Sequence, residues 1–272
     1  MDCKRPLLSI EQVSRHYRNG DSLISALDGV SLSVQEGEFV AIMGQSGSGK
    51  STLMNIIGCL DQPSEGRYLI NGHDVSKLNT NQLAALRLKT FGFVFQRYQL
   101  LPTLNAKENV ALPALYANTA KEKRLQNAMT LLKKLGLEGR EHHKPSELSG
   151  GQQQRTSMAR ALVKDASLIL FDEPLVNLDY KLREELRAEL RTIFKERNCI
   201  AVYATTEANE ALALGGETTL LHEGKLLQNG KSQSVYKFPE RIESAKLFSE
   251  PPMNLVPGSL TENEISFDGS VH

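Results

Sequence analysis

The sequence has no excess of either charge, since Lys+Arg and Asp+Glu are balanced at 32 each in 272 residues. No overall field therefore attracts nucleic acid or an anionic membrane. Three cysteines, Cys3, Cys59 and Cys199, form neither a CxxC pair nor an even set, so we expect free thiols in a reducing compartment. We expect no nucleic-acid partner and no disulfide framework.

Long apolar stretches are also missing. No run approaches the ~20 residues needed to cross a bilayer as a helix. The first twelve residues, MDCKRPLLSIEQ, lack the basic start and apolar stretch of a signal peptide. We therefore expect a cytoplasmic protein.

Short apolar runs alternate with helical patterns along the chain. Phe39–Met43, Ser167–Phe171 and Ile200–Ala204 have the pattern of buried strands in a largely parallel sheet. Leu182, Leu186, Leu190, Ile193 and Phe194 predict one helix over residues 181–197, and a second, with apolar positions from Leu125 to Leu135, ends at Gly136. The pattern predicts an α/β fold.

Three regions depart from this alternation. The first 35 residues contain short alternating segments with NG and DG turn signals, which predict a β-rich lead-in. Residues 97–150 are mostly helical and indicate an inserted helical subdomain. After about residue 250 the chain is rich in Pro, Gly, Asn and Ser, so we expect residues 251–272 to be a loosely packed tail. Residues 1–250 would form the main unit.

The motif GQSGSGKS follows the strand FVAIM and precedes a helical segment, which matches GxxxxGK[ST] in its proper context. Its glycines let backbone N–H groups face phosphate oxygens, its lysine neutralises phosphate charge, and its last serine offers an oxygen to Mg²⁺. The alternative is a chance Gly/Ser turn. The candidate phosphate-binding residues are Gly44, Gln45, Ser46, Gly47, Ser48, Gly49, Lys50, Ser51 and Thr52.

Asp172 and Glu173 end the apolar strand SLILF. A parallel sheet delivers such side chains to the ligand crevice at its carboxyl edge. Asp172 would hold Mg²⁺, and Glu173 would orient and polarise the attacking water, as phosphoryl transfer requires. A DE pair after a strand can also be an ordinary helix N-cap.

The segment LSGGQ, residues 148–152, is followed by QQRTSMARAL and then by Asp172 and Glu173. This order resembles ABC ATPases over about residues 8–250. The resemblance implies a P-loop NTPase cassette with an N-terminal antiparallel β subdomain and an inserted helical subdomain. It also implies that Ser149, Gly150, Gly151 and Gln152 complete the ATP site of a second cassette. Without the resemblance, Ser149 could be a helix N-cap.

Other family motifs can be matched one at a time. Tyr17 matches the aromatic residue that stacks on adenine, although it could be an ordinary strand tyrosine. Gln96 matches the glutamine that senses Mg²⁺ and water and links the core to the helical lobe. Asn177 to Asp179 match the loop that crosses the dimer interface, with Asp179 as the named residue, although it could be a solvated turn acid. These roles rest on the resemblance.

The sequence departs from the family pattern at Thr206, which stands where the family has a histidine near the γ-phosphate. A threonine hydroxyl can donate a hydrogen bond but cannot carry an imidazolium charge. Hydrolysis could therefore be slow, and a hydrolysis-poor dimerising subunit stays an alternative. We keep Thr206 among the catalytic candidates with Glu173 and Gln96.

The two halves resemble different branches of the family. Residues 37–116 resemble lipoprotein-release and macrolide-export cassettes, whereas the sequence from about Gln153 onward resembles the cassettes of sugar and glycerol-phosphate importers. The tail resembles the opening strands of the importers' regulatory β domain. We therefore interpret the chain as a mosaic or truncated cassette.

The resemblance implies an ATP-binding and ATP-hydrolysing subunit that powers transport, with ATP and Mg²⁺ bound. Implied partners are a second cassette, identical or different, and integral membrane permease subunits, and a substrate-binding protein is compatible with an importer. The implied location is the cytoplasmic face of the inner membrane. A soluble ABC ATPase acting in DNA repair or on ribosomes is a rival, but those proteins usually carry two cassettes or long coiled-coil insertions.

Overall fold

The computed structural model describes residues 6–20, 22–164, 166–176, 178–196, 199–249, 251–256, 258–260 and 265–267. Its strands are β1 (Leu8–Asn19), β2 (Ser22–Val34), β3 (Phe39–Met43), β4 (Glu65–Ile70), β5 (His73–Asp74), β6 (Phe91–Val94), β7 (Leu168–Asp172), β8 (Ile200–Thr205), β9 (Glu217–His222), β10 (Lys225–Lys231), β11 (Gly258–Leu260) and β12 (Ile265–Phe267). Its helices are α1 (Lys50–Ile57), α2 (Thr80–Thr90), α3 (Ala106–Tyr116), α4 (Lys121–Lys134), α5 (Gly150–Leu162), α6 (Tyr180–Glu196), α7 (Ala208–Leu214), α8 (Ser232–Lys237) and α9 (Ile242–Leu247).

A six-stranded sheet in the order β10-β9-β3-β8-β7-β6 forms the centre of the fold. The pairs β3–β8, β3–β9, β7–β8 and β6–β7 are parallel, and β10 pairs antiparallel with β9 at one edge. The side chains of β7 and β8 are buried almost throughout, because helices cover both faces of a parallel sheet. This arrangement confirms the predicted α/β class and the three predicted strands.

A second sheet, in the order β2-β1-β4-β5, is antiparallel and confirms the predicted β-rich lead-in. The NG signal at Asn19 and Gly20 lies at the β1–β2 turn. The DG signal does not turn the chain: Asp28 and Gly29 lie inside β2, at a register irregularity where Gly29 has a φ of +62°. The positive φ explains the glycine.

Helices interrupt the α/β order between β6 and β7. Helix α3 begins with a capping box, in which Asn105 accepts from the backbone of Glu108 and the Glu108 side chain accepts from the backbone of Asn105. Helix α4 ends as predicted before Gly136, whose φ is +69°. Buried side chains of α3 and α4 pack with those of α5 in one apolar cluster. The division into a main unit, a helical insert and a tail stays a prediction.

The described part of the tail contains the strands β11 and β12, which pair as a short antiparallel ribbon. The expectation of a loosely packed tail stays a prediction. Asn177, named above with the interface loop, lies outside the described residues. Within the described part of the chain, no helix is long and apolar enough to span a membrane.

Candidate functional site

The glycine-rich loop joins β3 to α1, and at two of its glycines a side chain would collide with neighbouring backbone. A Cβ on Gly44 would lie 2.3 Å from the carbonyl oxygen of Leu221, and a Cβ on Gly49 would lie 2.6 Å from that of Ala26. Gly47 and Gly49 have φ angles of +81° and +104°, which L-residues rarely adopt. Glycine is therefore required here by both space and backbone conformation.

Lys50 is buried, with 4% of its side chain exposed. Its Nζ donates to the carbonyl oxygens of Gly44 and Gln45, both at 3.0 Å, and lies 3.3 Å from Oε1 of Glu173. The N-terminus of α1 has no side-chain cap, and the hydroxyl of Ser48 is buried without a hydrogen-bond partner among the described residues. A buried cation beside an uncapped helix start is suited to an anion.

Two carboxylates face this loop from the end of β7. The hydroxyl of Ser51 lies 3.5 Å from Oδ1 of Asp172, and Nε2 of Gln96 donates to Oε2 of Glu173 at 3.2 Å. Glu173 has a φ of +44°, and its backbone N–H donates to the carbonyl oxygen of Ala204 at 3.0 Å. A non-glycine residue in this region is strained, and such strain is concentrated at functional sites.

Burial raises the pKa of Asp172, and the neighbouring Glu173 charge adds to the increase, while Ser51 and Lys50 act in the opposite direction. A nearby cation stabilises the charged form of a buried carboxylate. Ser51 and Asp172 provide two hard oxygen donors. Mg²⁺ usually takes one or two such protein ligands and completes its shell with water and phosphate oxygens. The residues present therefore fit a magnesium ion held together with a phosphorylated ligand, and no cluster of three or more His, Cys, Asp or Glu occurs among the described residues.

Tyr17 is half-buried on β1, and its hydroxyl donates to Oδ2 of Asp61 at 2.7 Å. Arg15 forms an ion pair with the same carboxylate, with Nη2 2.8 Å from Oδ1. The sequence-based interpretation missed Arg15 and Asp61. No local pattern marks them, because the contact joins residues 44 to 46 positions apart.

The structure joins Lys50, Ser51, Gln96, Asp172 and Glu173 in one network. The candidates named for contact with a second cassette make bonds elsewhere. Ser149 caps α5, where the N–H of Gln152 donates to its hydroxyl at 3.4 Å, and the Gln152 side chain accepts from the backbone N–H of Ser149. Asp179 accepts from the N–H of Leu182 and so caps α6. The alternative that Ser149 is a helix N-cap is thus realised, and it does not exclude a role toward a partner.

Thr206 is exposed just beyond β8. Asp172 is in register with Ala204 on the neighbouring strand, which brings the loop after β8 beside the carboxylates. Hydrogen bonds of Thr205 fix the start of that loop. Its hydroxyl donates to Oε2 of the buried Glu210 at 2.6 Å and accepts from the N–H of Glu207. The position of the loop is therefore determined by buried neighbours and not by the exposed threonine.

A phosphate-type loop, a buried lysine and two strand-end carboxylates at the carboxyl edge of a parallel sheet define a P-loop nucleoside triphosphatase. The family model described as ABC transporter matches residues 27–176, more than half of the chain. The chain belongs to the ABC transporter family, as one of its ATP-binding cassettes. Cassettes of this kind are ATPases.

Relatives and solved structures agree with this assignment. Proteins described as macrolide export ATP-binding/permease protein MacB match at 57% identity over 69% of the chain in Hyphomonas neptunium and at 46% over 85% in Brucella melitensis. Two dimeric structures of the ATP-binding cassette MJ0796, one bound to ADP and Pi, are 40% and 39% identical, with TM-scores of 0.77 and 0.76. Each alignment covers 83% of this chain and 98% of the MJ0796 chain.

The chain spans only about a third of the length of the curated relatives that it matches, with 30% and 35% of the Hyphomonas and Brucella proteins covered. The predicted resemblance of the first half to macrolide-export cassettes agrees with these relatives. The resemblance of the second half to importers, and with it the mosaic interpretation, stays a prediction.

Proposed function

We propose that this chain is the ATP-hydrolysing subunit of a transporter and powers substrate movement through separate membrane permease subunits. The observation that carries the proposal is the network of Lys50, Ser51, Gln96, Asp172 and Glu173 at the carboxyl edge of the sheet. The MacB-type relatives favour export over import, so a substrate-binding protein is the less favoured partner. The site of action would be the cytoplasmic face of the inner membrane.

The phosphate loop binds the triphosphate by charge and by backbone donors. Lys50 exchanges its carbonyl partners and Glu173 for the β- and γ-phosphate oxygens, and the N–H groups of residues 44–52 surround the phosphates. Ser51, Asp172 and Gln96 would hold Mg²⁺. When bound, the metal neutralises charge on the phosphate oxygens. Tyr17 stacks on the base.

Glu173 is the group that acts on water. Its carboxylate accepts a hydrogen bond from the water and takes a proton from it as the water oxygen attacks the γ-phosphorus. The bond between the γ-phosphorus and the β-phosphate oxygen breaks in the same step. ADP and inorganic phosphate are the products. The donor Gln96 holds one oxygen of Glu173 and so directs the other toward the water. Gln96 also begins the path into the helical segment, so it can report nucleotide state to a permease.

The second half of each site comes from another cassette. Residues Ser149–Gln152 and Asp179 of one copy face the nucleotide of the other, and the two copies are related head to tail. The dimeric structures of the MJ0796 cassette support dimerisation, and the head-to-tail arrangement follows from the resemblance to ABC ATPases. ATP binding draws the cassettes together, and hydrolysis releases them, because ATP and ADP have different affinities for the closed state.

Thr206 favours a second candidate function, an ATP-binding subunit that dimerises but hydrolyses slowly. Its hydroxyl can donate one hydrogen bond where a histidine would supply a longer and chargeable donor. Steady-state phosphate release separates the two functions when it is measured for the wild type, Glu173→Gln and Thr206→His.

For a motor subunit we expect Glu173→Gln to lower turnover by about 10²- to 10⁴-fold, the usual contribution of a positioned base. MgATP binding by this variant should be retained. Thr206→His should leave the rate of a competent enzyme similar or higher. A wild-type rate no greater than that of Glu173→Gln, restored by Thr206→His, would instead support the slow dimerising subunit.

A further inference from the structure

Tyr17 forms a three-residue cluster with Arg15 and Asp61, which links two distant parts of the chain. Its hydroxyl donates to Oδ2 of Asp61 at 2.7 Å. Arg15 binds the same carboxylate with two nitrogens, Nε to Oδ2 at 2.9 Å and Nη2 to Oδ1 at 2.8 Å. A two-pronged arginine–carboxylate pair is strong and has a fixed geometry. The carboxylate is therefore fully engaged and has one orientation.

The same arginine covers one face of the tyrosine ring. The Cζ atom of Arg15 lies 4.6 Å from the ring centroid of Tyr17, within the range of a cation–π contact. The two residues are neighbours on one side of β1, at positions i and i+2. The ring is thus held in its plane by Arg15 and at its tip by Asp61, and it stays only partly buried.

Asp61 itself is anchored. Its Oδ1 accepts from the backbone N–H of Gln62 at 2.8 Å. The loop is also attached to β1 at Ser64, whose N–H donates to the carbonyl oxygen of Ser14 at 2.8 Å and whose hydroxyl accepts from the N–H of His16 at 3.1 Å. The carboxylate is therefore held by a loop that cannot move independently of the strand that carries Tyr17.

This loop is the continuation of the helix that begins at the phosphate loop, since α1 runs from Lys50 to Ile57. Strand β2, which pairs with the strand that carries Tyr17, also leads to the phosphate loop. Tyr17 pairs with Ile24 on β2, and two residues further on the carbonyl oxygen of Ala26 borders Gly49. The tyrosine is thus connected to the phosphate loop from two directions, through α1 and through β2.

We propose that Arg15 and Asp61 are positioning residues that hold the ring of Tyr17 ready to stack on the base of a nucleoside triphosphate. This inference rests on the proposed role of Tyr17. Covering one face with a guanidinium leaves the other face for the base, and fixing the ring in advance removes the cost of ordering it when the ligand binds. The cluster adds affinity for the base, whereas the loop at Lys50 provides affinity for the phosphates.

The test measures the dissociation constant for MgATP by calorimetry on the full chain and its variants. Immobilising one side chain corresponds to about a 2- to 10-fold change in affinity. We therefore expect Arg15→Met and Asp61→Asn each to weaken MgATP binding by about that factor. Arg67→Met is the matched control, because it removes an exposed ion pair with Glu11 in the same sheet and should change nothing.

The deciding measurement repeats Asp61→Asn in a Tyr17→Ala background. Tyr17→Ala alone should weaken binding by about 5- to 150-fold, the factor that corresponds to losing one stacked base. If Asp61 acts through the ring, Asp61→Asn should have no further effect in that background. An equal effect in both backgrounds, or none in either, would overturn the positioning role while leaving that of Tyr17 intact. Unchanged binding by Tyr17→Ala would instead overturn the stacking role itself, and with it the cluster's role.

Discussion

Two helices of this protein begin at glycine-rich segments, and they differ in whether side chains cap the free backbone N–H groups of the first turn. Helix α1 begins after Gly49 with no side-chain cap, and its first residue, Lys50, is buried. Helix α5 begins after Ser149, whose hydroxyl and the side chain of Gln152 form a capping box on an exposed surface. Both starts carry the positive end of a helix dipole.

The difference shows why glycine and a helix start are not enough for a phosphate site. At α1 the donors are left without a side-chain cap, and a buried cation and two carboxylates converge on them. At α5 the side chains of Ser149 and Gln152 accept hydrogen bonds from backbone N–H groups at the helix start. The network of Lys50 and the two carboxylates lies elsewhere. Under the proposed function, the first start works within one chain, whereas the second meets its ligand on a partner cassette. Three variants would sharpen or break this comparison.

The largest effect is expected at the first helix start. Lys50→Ala removes a buried cation from the loop and leaves Glu173 without its ion pair. Loss of one such group typically lowers turnover by about 10²- to 10³-fold, and we expect at least that loss together with weaker MgATP binding. Phosphate release and calorimetry measure the two effects. Lys77→Ala, at a lysine 85% exposed, is the control. Unchanged MgATP affinity in Lys50→Ala would refute the phosphate site.

A smaller effect is expected inside the second helix start. A Cβ on Gly151 would lie 2.2 Å from Cδ2 of Leu182 on α6, so Gly151→Ala overpacks the contact between two helices. Such changes typically cost about 1–3 kcal/mol in the free energy of unfolding. Chemical denaturation should detect this loss. In Gly150→Ala the nearest atom would be the hydroxyl of Tyr98 at 3.1 Å, so this neighbour should lose less.

The same variant addresses function at the second helix start. MgATP binding to a single cassette should be unchanged in Gly151→Ala, while ATP-induced dimerisation in a Glu173→Gln background should weaken. Light scattering with and without MgATP measures this. If Gly151→Ala weakened nucleotide binding to the monomer as much as Lys50→Ala does, the distinction between the two starts would be wrong.

The smallest effect is expected for the cap. Ser149→Ala removes the hydroxyl that accepts from the N–H of Gln152, and loss of such a cap costs about 1 kcal/mol. The free energy of unfolding should fall by that amount, and Ser149→Asn, which keeps a capping acceptor, should retain most of it. A stability of Ser149→Ala equal to that of the wild type would mean that the capping box contributes nothing.

Several elements could be predicted from local patterns. The run at Phe39–Met43 is a strand with the predicted bounds, and the predicted helix over residues 181–197 is Tyr180–Glu196. Strand β7 is shifted by one residue, because Asp172 still pairs with Ala204 at its end. Such agreement is expected where one periodicity extends over the whole element, since burial selects apolar residues at regular spacing.

Other features could not be predicted in this way. The DG pair at Asp28 and Gly29 carries a turn signal, yet it lies inside a strand, because pairing with β1 overrides the local preference. Arg15 and Asp61 carry no signal at all in the sequence. Their contact depends on how the loop after α1 packs against β1, and such long-range packing has no local pattern.

The sequence by itself determined the chemistry that is available: a phosphate loop at residues 44–51, a pair of carboxylates after a strand and a threonine where the family has a histidine. Side-chain types and their order along the chain specify these features directly. Only the tertiary structure decided which of them meet. It joined Lys50 to Glu173 and Ser51 to Asp172, and it held Tyr17 against Asp61. Hydrogen bonds act over about 3 Å, and the folding of distant segments determines which donors and acceptors come that close.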